Sequence, residues 1–135
     1  NSMYTIPGIS DGGAHTKFLT GGAYATEILT WLVKEEGLVS LEEAHYKLSA
    51  LPAFFGGVYD RGFLREGAPA DIVIYDMDKL KLLPTEIAHD LPGGDWRRVQ
   101  RAEGYRWTIV NGEVTFEDGK PTGALPGKLL RKGKG

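Results

Sequence analysis

The chain has 135 residues, no cysteine and a formal net charge of -2 at pH 7. This length suits one domain, and the missing cysteines exclude disulfides and thiolate metal sites within the chain. The charge gives no electrostatic basis for binding nucleic acid. No run approaches the roughly 18 consecutive apolar residues of a membrane span, and the start does not resemble a signal peptide. We expect a soluble protein without nucleic-acid or membrane partners, with the cytoplasm favoured.

An apolar segment near the beginning, from Tyr4 to Ile9, predicts a β-strand. It leads into the run Ser10-Asp11-Gly12-Gly13-Ala14-His15. In parallel β/α architectures, reactive groups lie on loops at the carboxyl ends of strands, and glycines let a ligand come close. The run is therefore a candidate site, although one aspartate and one histidine need partners to make a catalytic centre.

Two helices are predicted next. Apolar residues spaced by three and four between Ala25 and Val33 indicate a helix with one buried face, and Gly37 supplies its stop. Ser40 begins a second helix as a capping box with Glu43. Pro52 predicts a break in this helix, followed by a short new turn.

The pattern changes at about residue 60, where helical periodicity gives way to short β-rich runs. Residues 70–76 predict a strand whose nearly continuous apolar run suggests cover on both faces. Asn111-Gly112 is the strongest short hairpin signal, and Asp118-Gly119 predicts a further turn. The stretch from Met77 to Gly104 shows no clear period and is expected to be irregular or weakly paired.

A lone strand has consequences for the isolated chain. The strand from Tyr4 to Ile9 cannot pair its own backbone donors and acceptors, so it needs neighbours on both sides if it comes from a barrel. We therefore expect the isolated chain to self-associate or to exchange segments with a second copy, unless its first residues stay disordered.

Several short motifs occur in a fixed order along nearly the whole chain. They are Ser10-Asp11-Gly12, Leu41-Glu42-Glu43-Ala44, Leu51-Pro52-Ala53, Asp60-Arg61-Gly62-Phe63-Leu64-Arg65-Glu66-Gly67, Ala70-Asp71-Ile72-Val73-Ile74-Tyr75-Asp76, Val110-Asn111-Gly112, Asp118-Gly119, Thr122-Gly123 and Pro126-Gly127-Lys128-Leu129-Leu130-Arg131. This ordered set resembles the C-terminal portion of metal-dependent amidohydrolases, specifically the N-acyl-D-amino-acid deacylase (D-aminoacylase) group.

The resemblance implies an α+β fragment of a longer protein. Residues 1–59 would be the last β/α unit and closing helices of an incomplete (β/α)8, or TIM, barrel. Residues 60–135 would be the C-terminal portion of a small β-sandwich that the family builds from both ends of the polypeptide. The family's zinc-binding histidines lie on earlier barrel strands, and no segment of this chain matches them.

The resemblance also implies a role for the candidate site. Asp11 matches the family's aspartate at the end of the eighth strand, which contacts the metal or its bound water and shuttles a proton. The parent protein would then be a zinc enzyme that hydrolyses the C–N bond of an N-acyl amino acid. Ser10, Gly12, Gly13 and His15 are expected to bind substrate. The chain alone is expected to hold no zinc and to be inactive.

Simpler interpretations of these residues stay open. Asp11 could cap the following turn, as Asp often does before Gly. His15 could be a metal ligand, a substrate contact or a donor to Asp11.

His45 and His89 are expected to be structural or exposed. Other residues are given structural roles: a polar turn at Arg61, Arg65 and Glu66, a core of Phe54, Phe55, Tyr59 and Phe63, sandwich packing by Trp96, Tyr105 and Trp107, and a solvated basic tail from Lys128 onward.

Two other functions are compatible with the sequence. The chain could be a binding or assembly module that has kept the shape of an amidohydrolase C-terminus. It could also belong to a cyclic-amide hydrolase related to dihydroorotase, since such enzymes share the pattern of this C-terminal part.

Overall fold

The computed structural model describes residues 5–8, 17 and 21–131. Helix α1 covers residues 21–35 and consists of a 3-10 turn at Gly21–Ala23, an α-helical turn at Tyr24–Glu27 and wider, π-type turns at Ile28–Glu35. Helix α2 covers residues 41–56. It is α-helical at Leu41–His45 and Leu51–Gly56, with π-type turns at Tyr46–Ala50 between them. Within the described ranges, neither helix has the length and apolarity needed to cross a membrane.

The predicted helix end at Gly37 and the predicted helix start at Ser40 are confirmed. Gly37 has a φ of 61°, in the left-handed region, and Leu38 donates its N–H to the Leu32 carbonyl at 2.9 Å. This geometry closes the end of α1. At the start of α2, Ser40 Oγ accepts the Glu43 N–H at 3.1 Å, which satisfies one of the helix's free donors.

The predicted break at Pro52 is wrong, because the backbone stays helical from Leu41 through Pro52 to Gly56. Ala50 and Leu51 both keep φ near -65° and ψ near -47°. A proline inside a helix lacks an N–H and crowds the carbonyl four residues earlier. Here the π-type turns at Tyr46–Ala50 come just before Pro52, and their shifted hydrogen-bond register accommodates the ring.

In the second half of the chain, the described residues up to 131 form eight short strands. These are β1 (Ile72–Tyr75), β2 (Lys81–Leu82), β3 (Glu86–Ala88), β4 (Arg97–Val99), β5 (Ala102–Glu103), β6 (Tyr105–Val110), β7 (Glu113–Glu117) and β8 (Lys120–Pro121). Four of them form an antiparallel sheet in the order β1-β6-β7-β8. The others form two-stranded ladders, β2 with β5 and β3 with β4, so the stretch expected to be irregular or weakly paired contains short pairings.

Both predicted turns join strands of the larger sheet. Asn111 and Gly112 have φ values of 48° and 86°, and Asp118 and Gly119 have 45° and 77°. Two successive positive φ values define the type I′ turn, whose twist matches that of a hairpin. Both turn predictions are confirmed.

A small core joins the helices to the strands. Leu29 of α1, Ala44 of α2 and Leu80 are 3%, 1% and 3% exposed and form one buried cluster. Tyr75 of β1 and Tyr105 of β6 pack against this cluster. The two halves of the described chain are therefore held together by a few apolar contacts.

Much of the remaining apolar surface is exposed. The strand prediction for residues 70–76 is confirmed at β1, but cover on both faces is wrong for the described chain, since Val73 and Ile74 are 46% and 41% exposed. The aromatic core expected in α2 and the following loop is also wrong. Phe54, Phe55, Tyr59 and Phe63 are all more than half exposed, and none of them packs against the buried cluster.

The predicted strand from Tyr4 to Ile9 is described only in part. Its described residues, 5–8, are not in a strand. A strand requires a neighbour to pair its backbone, and the described sheets are built entirely from residues 72–121. Thr5, Ile6 and Pro7 instead line a shallow groove beside α1 and α2.

Gly104 determines how closely β5 and β6 approach the core, and this gives a testable prediction. Its φ is 98°, and an added Cβ would lie 2.6 Å from Leu80 Cα. We expect Gly104→Ala to lower the free energy of unfolding by about 2–4 kcal/mol, through backbone strain and overlap. Gly123→Ala is the matched control, since Gly123 has a φ of 91° with open space around it. Urea unfolding that shows equal losses for the two variants would contradict the role given to this contact.

Candidate functional site

The residues predicted to form the site lie outside the described part of the chain. Ser10, Asp11, Gly12, Gly13 and His15 all fall between residues 8 and 17, which are described. The structure therefore neither brings them together nor separates them. It does describe what borders the segment on both sides.

Lys17, two residues after His15, is held by two groups from a later part of the chain, a carboxylate and an aromatic ring. Its Nζ lies 2.8 Å and 2.7 Å from the two carboxylate oxygens of Asp95. The same Nζ is 5.2 Å from the ring centroid of Trp96, a distance typical of a cation–π contact. The hydrogen bond from Lys17, followed by that from the Trp96 N–H, holds the pKa of Asp95 below its ordinary value.

The loop that carries Asp95 is itself braced. Arg97 donates two hydrogen bonds to Asp90, from Nε to Oδ1 at 2.8 Å and from Nη2 to Oδ2 at 2.7 Å. Backbone hydrogen bonds from Leu91 to Asp95 and from Gly94 to Leu91 close the turn between them. His89 is exposed, as expected, and its Nδ1 lies 3.4 Å from the Gly94 carbonyl oxygen. Lys17 thus contacts a locally ordered loop.

Two pairs of hydrogen-bonded side chains join the helices to the sheet. His45 Nε2 lies 2.6 Å from Tyr75 Oη, and Thr26 Oγ1 lies 2.8 Å from Tyr105 Oη. The rings of Tyr75 and Tyr105 are 6.0 Å apart. Burial raises the pKa of Tyr75, and the neighbouring Tyr105 raises it further. His45 is therefore a structural histidine, as predicted, although its tyrosine partner could not be predicted from the sequence.

A groove of about 620 Å³ runs beside His45 and Tyr75. One wall is α2, and the other is formed by Gly62, Phe63 and β1. The loop reaches α2 only because residue 62 is glycine. Its φ is 86°, and a Cβ there would lie 2.8 Å from the Ser49 carbonyl oxygen.

The polar turn predicted around Gly62 contains an ion pair. Arg61 is only 12% exposed and donates to Asp71 Oδ2, while Asp71 Oδ1 accepts the Asn111 N–H at 2.8 Å. Arg65 donates to the Tyr59 carbonyl at 3.1 Å. The turn therefore connects the end of α2 to the start of the sheet and to its first hairpin, in agreement with the sequence.

The described residues do not fit a catalytic metal. Across residues 5–8, 17 and 21–131, no group of three or more His, Cys, Asp or Glu side chains could hold an ion. His45 and His89 lie near the polar partners described above, Tyr75 and the Gly94 carbonyl.

Comparison with known proteins identifies the family to which the chain belongs. A model of the amidohydrolase family matches residues 8–116. The chain therefore belongs to the amidohydrolase family. The matched range begins just before the candidate site and ends in β7, so it includes Asp11 and both helices.

The more specific likeness is to D-amino-acid deacylases. The chain is 35% identical over 109 residues to an N-acyl-D-aspartate deacylase of Alcaligenes xylosoxydans xylosoxydans, which covers 80% of this chain and 20% of the relative. It is 36% identical over 107 residues to an N-acyl-D-glutamate deacylase of the same organism, and this alignment covers 79% of this chain and 20% of that relative. A crystal structure of D-aminoacylase superimposes with a TM-score of 0.57 at 27% identity, covering 74% of this chain and 19% of that one.

These findings confirm the resemblance to the D-aminoacylase group of amidohydrolases. The α+β character is confirmed as well. The chain spans about a fifth of the length of the relatives it matches. Its assignment to a barrel part and a sandwich part stays a prediction.

The pair of Arg61 and Asp71 predicts a pH dependence of stability. Burial acts to raise the pKa of Asp71, but hydrogen bonds from Asn111 and Arg61 and the charge of Arg61 outweigh it, so the pKa lies below its ordinary 3.8. Ionised Asp71 thus stabilises the fold above about pH 4, and this contribution is lost as pH falls through the lowered pKa.

We expect Asp71→Asn to reduce the free energy of unfolding at about pH 7 by about 1 kcal/mol, a value discounted for partial exposure, and by less at about pH 3. Urea unfolding at both pH values measures this. Glu113→Gln, at the exposed start of β7, is the control and should match the wild type. An Asp71→Asn loss that is equal at both pH values would contradict the assignment.

Proposed function

We propose that the complete protein containing this chain hydrolyses the amide C–N bond of N-acyl-D-amino acids, and that this chain supplies its proton-transfer carboxylate, Asp11. The main support is the match of residues 8–116 to the amidohydrolase family, together with two relatives that are named as D-amino-acid deacylases. Asp11 lies inside the matched stretch.

The chemistry of amide hydrolysis explains why a carboxylate is needed. The attacking water must lose a proton, and the leaving amine must gain one. A single carboxylate can do both, first as a base and then as an acid, and such catalysis typically contributes about 10²–10⁴-fold. Asp11 has this role in the proposal.

The neighbours of Asp11 are assigned to the substrate. Gly12 and Gly13 carry no side chain, so a ligand can approach the backbone closely. His15 and Ser10 can donate hydrogen bonds to a carboxylate or an acyl oxygen. The side-chain carboxylates named in the two relatives make N-acyl-D-aspartate and N-acyl-D-glutamate the first substrates to try.

The resemblance implies zinc, which would polarise the amide carbonyl and acidify water when bound. Since the described residues offer no donor set for it, we place its histidine ligands in other segments of the longer protein. The chain by itself is then inactive. The proposed arrangement is a last barrel unit in residues 1–59 and a sandwich portion in residues 60–135, and self-association of the isolated chain stays a prediction.

Replacing Asp11 in the complete protein tests the proposal. We expect Asp11→Asn to lower kcat for N-acetyl-D-aspartate or N-acetyl-D-glutamate by about 10²–10⁴-fold, because the amide cannot take up the proton. The control is Asp118→Asn, at a hairpin turn where Asn tolerates the positive φ, and it should keep full activity.

The substrate panel adds the L-enantiomers and a cyclic amide. Turnover of the D-substrates by wild type but not by Asp11→Asn supports the proposal. Turnover of the cyclic amide alone would support a cyclic-amide hydrolase instead, and binding without any turnover would support a non-catalytic module. Unchanged activity in Asp11→Asn would overturn the role of Asp11.

A further inference from the structure

Three aromatic side chains form an exposed patch at the end of α2 and the start of the following loop. Phe54 and Phe55 are 62% and 64% exposed, and Tyr59 is 54% exposed. The rings of Phe54 and Phe55 meet edge to face with centroids 5.9 Å apart, and those of Phe54 and Tyr59 are 5.7 Å apart. These distances are typical of aromatic rings in contact. We call the three residues the aromatic patch.

The aromatic patch is large for a surface that stays in water. An aromatic side chain offers about 150–250 Å² of surface, so three that are more than half exposed present on the order of 350 Å². Continuous apolar patches of a few hundred Å² on soluble proteins are often functional, and the larger ones mark interaction sites. The size and continuity of the aromatic patch therefore indicate a surface that another element covers.

The charged side chains that follow the patch in sequence already have partners within this chain. The side chains of Asp60 and Arg61 are 28% and 12% exposed, and Arg61 pairs with both Asp60 and Asp71. Arg65 donates a hydrogen bond to the Tyr59 carbonyl at 3.1 Å. Since these cations are engaged, the chemistry of the patch suits an apolar partner better than an acidic one.

The size of the patch favours a partner from the same polypeptide over a second copy. A stable interface between separate proteins needs about 800 Å² from each partner, more than the aromatic patch presents even with the nearby Phe63 and Leu64. A segment joined through the backbone acts at an effective concentration on the order of millimolar, so a smaller area suffices. The chain spans about a fifth of the length of the relatives it matches, so a longer protein has segments to supply.

We propose that the aromatic patch is the surface on which an apolar segment from another part of the complete protein docks. The inference rests on the part of the proposed function that makes this chain one piece of a longer protein. It does not depend on which reaction that protein catalyses. Docking removes the three rings from water and connects the end of α2 to a segment outside these 135 residues.

A photo-crosslinking side chain in the complete protein identifies what covers the patch. The variant Phe55→p-benzoylphenylalanine keeps an aromatic ring at this position and, on irradiation, forms a bond to a C–H group in contact with it. We expect a monomeric product in which position 55 is joined to a peptide from outside these 135 residues, as read by mass spectrometry. The matched control is Glu113→p-benzoylphenylalanine, at the exposed start of β7, which should give much less of such a product.

Substitutions at the same position measure how far the patch is buried in the complete protein. Phe55→Asp puts a charge into the proposed apolar contact, so the melting temperature should fall by at least about 5 °C. Phe55→Leu stays apolar and should lower it by less. Glu113→Gln is the control and should stay within about 1 °C of the wild type, as substitutions on exposed surface usually do. The crosslinking variant gives a result even where Phe55→Asp fails to fold.

The outcomes separate this inference from the proposed function. A crosslink from position 55 to an outside segment, in a protein without deacylase activity, supports the docking surface and contradicts the proposed function. Crosslinked dimers would assign the patch to a second copy and overturn the inference, whatever the activity. Crosslinks confined to these 135 residues, or equal yields at positions 55 and 113, would overturn it too. So would a Phe55→Asp melting temperature equal to that of Glu113→Gln.

Discussion

The described fold depends on one buried contact, where Leu29 of α1, Ala44 of α2 and Leu80 meet. These side chains belong to three separate segments, and each is no more than 3% exposed. Burying apolar side chains of this size stabilises a fold by about 1.5–3 kcal/mol for each large residue. Without this cluster, the helices and the sheet would be joined mainly by hydrogen bonds between partly exposed side chains, which contribute less.

Two glycines and two hydrogen-bonded side-chain pairs then determine how closely the segments approach one another. Gly104 lets β5 and β6 come close to Leu80, and Gly62 lets the loop after α2 touch that helix. The pairs of His45 with Tyr75 and Thr26 with Tyr105 give partners to part-buried hydroxyls. A buried hydroxyl without a partner would cost about 1–3 kcal/mol, so these pairs fix which helix face meets which strand.

The small size of the core fits the proposal of a longer protein. Phe54 and Phe55 are exposed, and so is Phe116 on the sheet. The chain spans about a fifth of its relatives' length, and the amidohydrolase match begins beside Asp11. In the proposal, these exposed faces and the catalytic carboxylate are both completed by the remaining segments.

Local signals made much of this fold predictable. Gly37, Ser40 and the two type I′ turns act through their own backbone geometry, so the sequence alone locates them. The continuation of α2 through Pro52 was missed because it depends on a change of hydrogen-bond register. The exposure of Val73 was missed because a run of apolar residues does not reveal whether anything covers it. The Lys17 and Asp95 pair joins positions 78 apart, and no local pattern predicts such a contact.

Less of the candidate site than of the fold could be predicted from the sequence. Asp11 was identified from its place after an apolar run and from the ordered motifs, and the family match includes it. Its metal-binding partners could not be found, since no histidine of this chain occurs at metal-ligand spacing and the described residues contain no cluster of three or more His, Cys, Asp or Glu side chains that could hold a metal ion.

We propose that this chain carries part of an amidohydrolase site and that other segments of the complete protein carry the rest. The most direct measurement takes the purified 135-residue chain, equilibrates it with zinc, and assays metal content and hydrolysis of N-acetyl-D-aspartate and N-acetyl-D-glutamate. We expect no stoichiometric zinc and no turnover, with activity appearing only in the complete protein. One zinc per chain together with turnover by the 135 residues alone would contradict it.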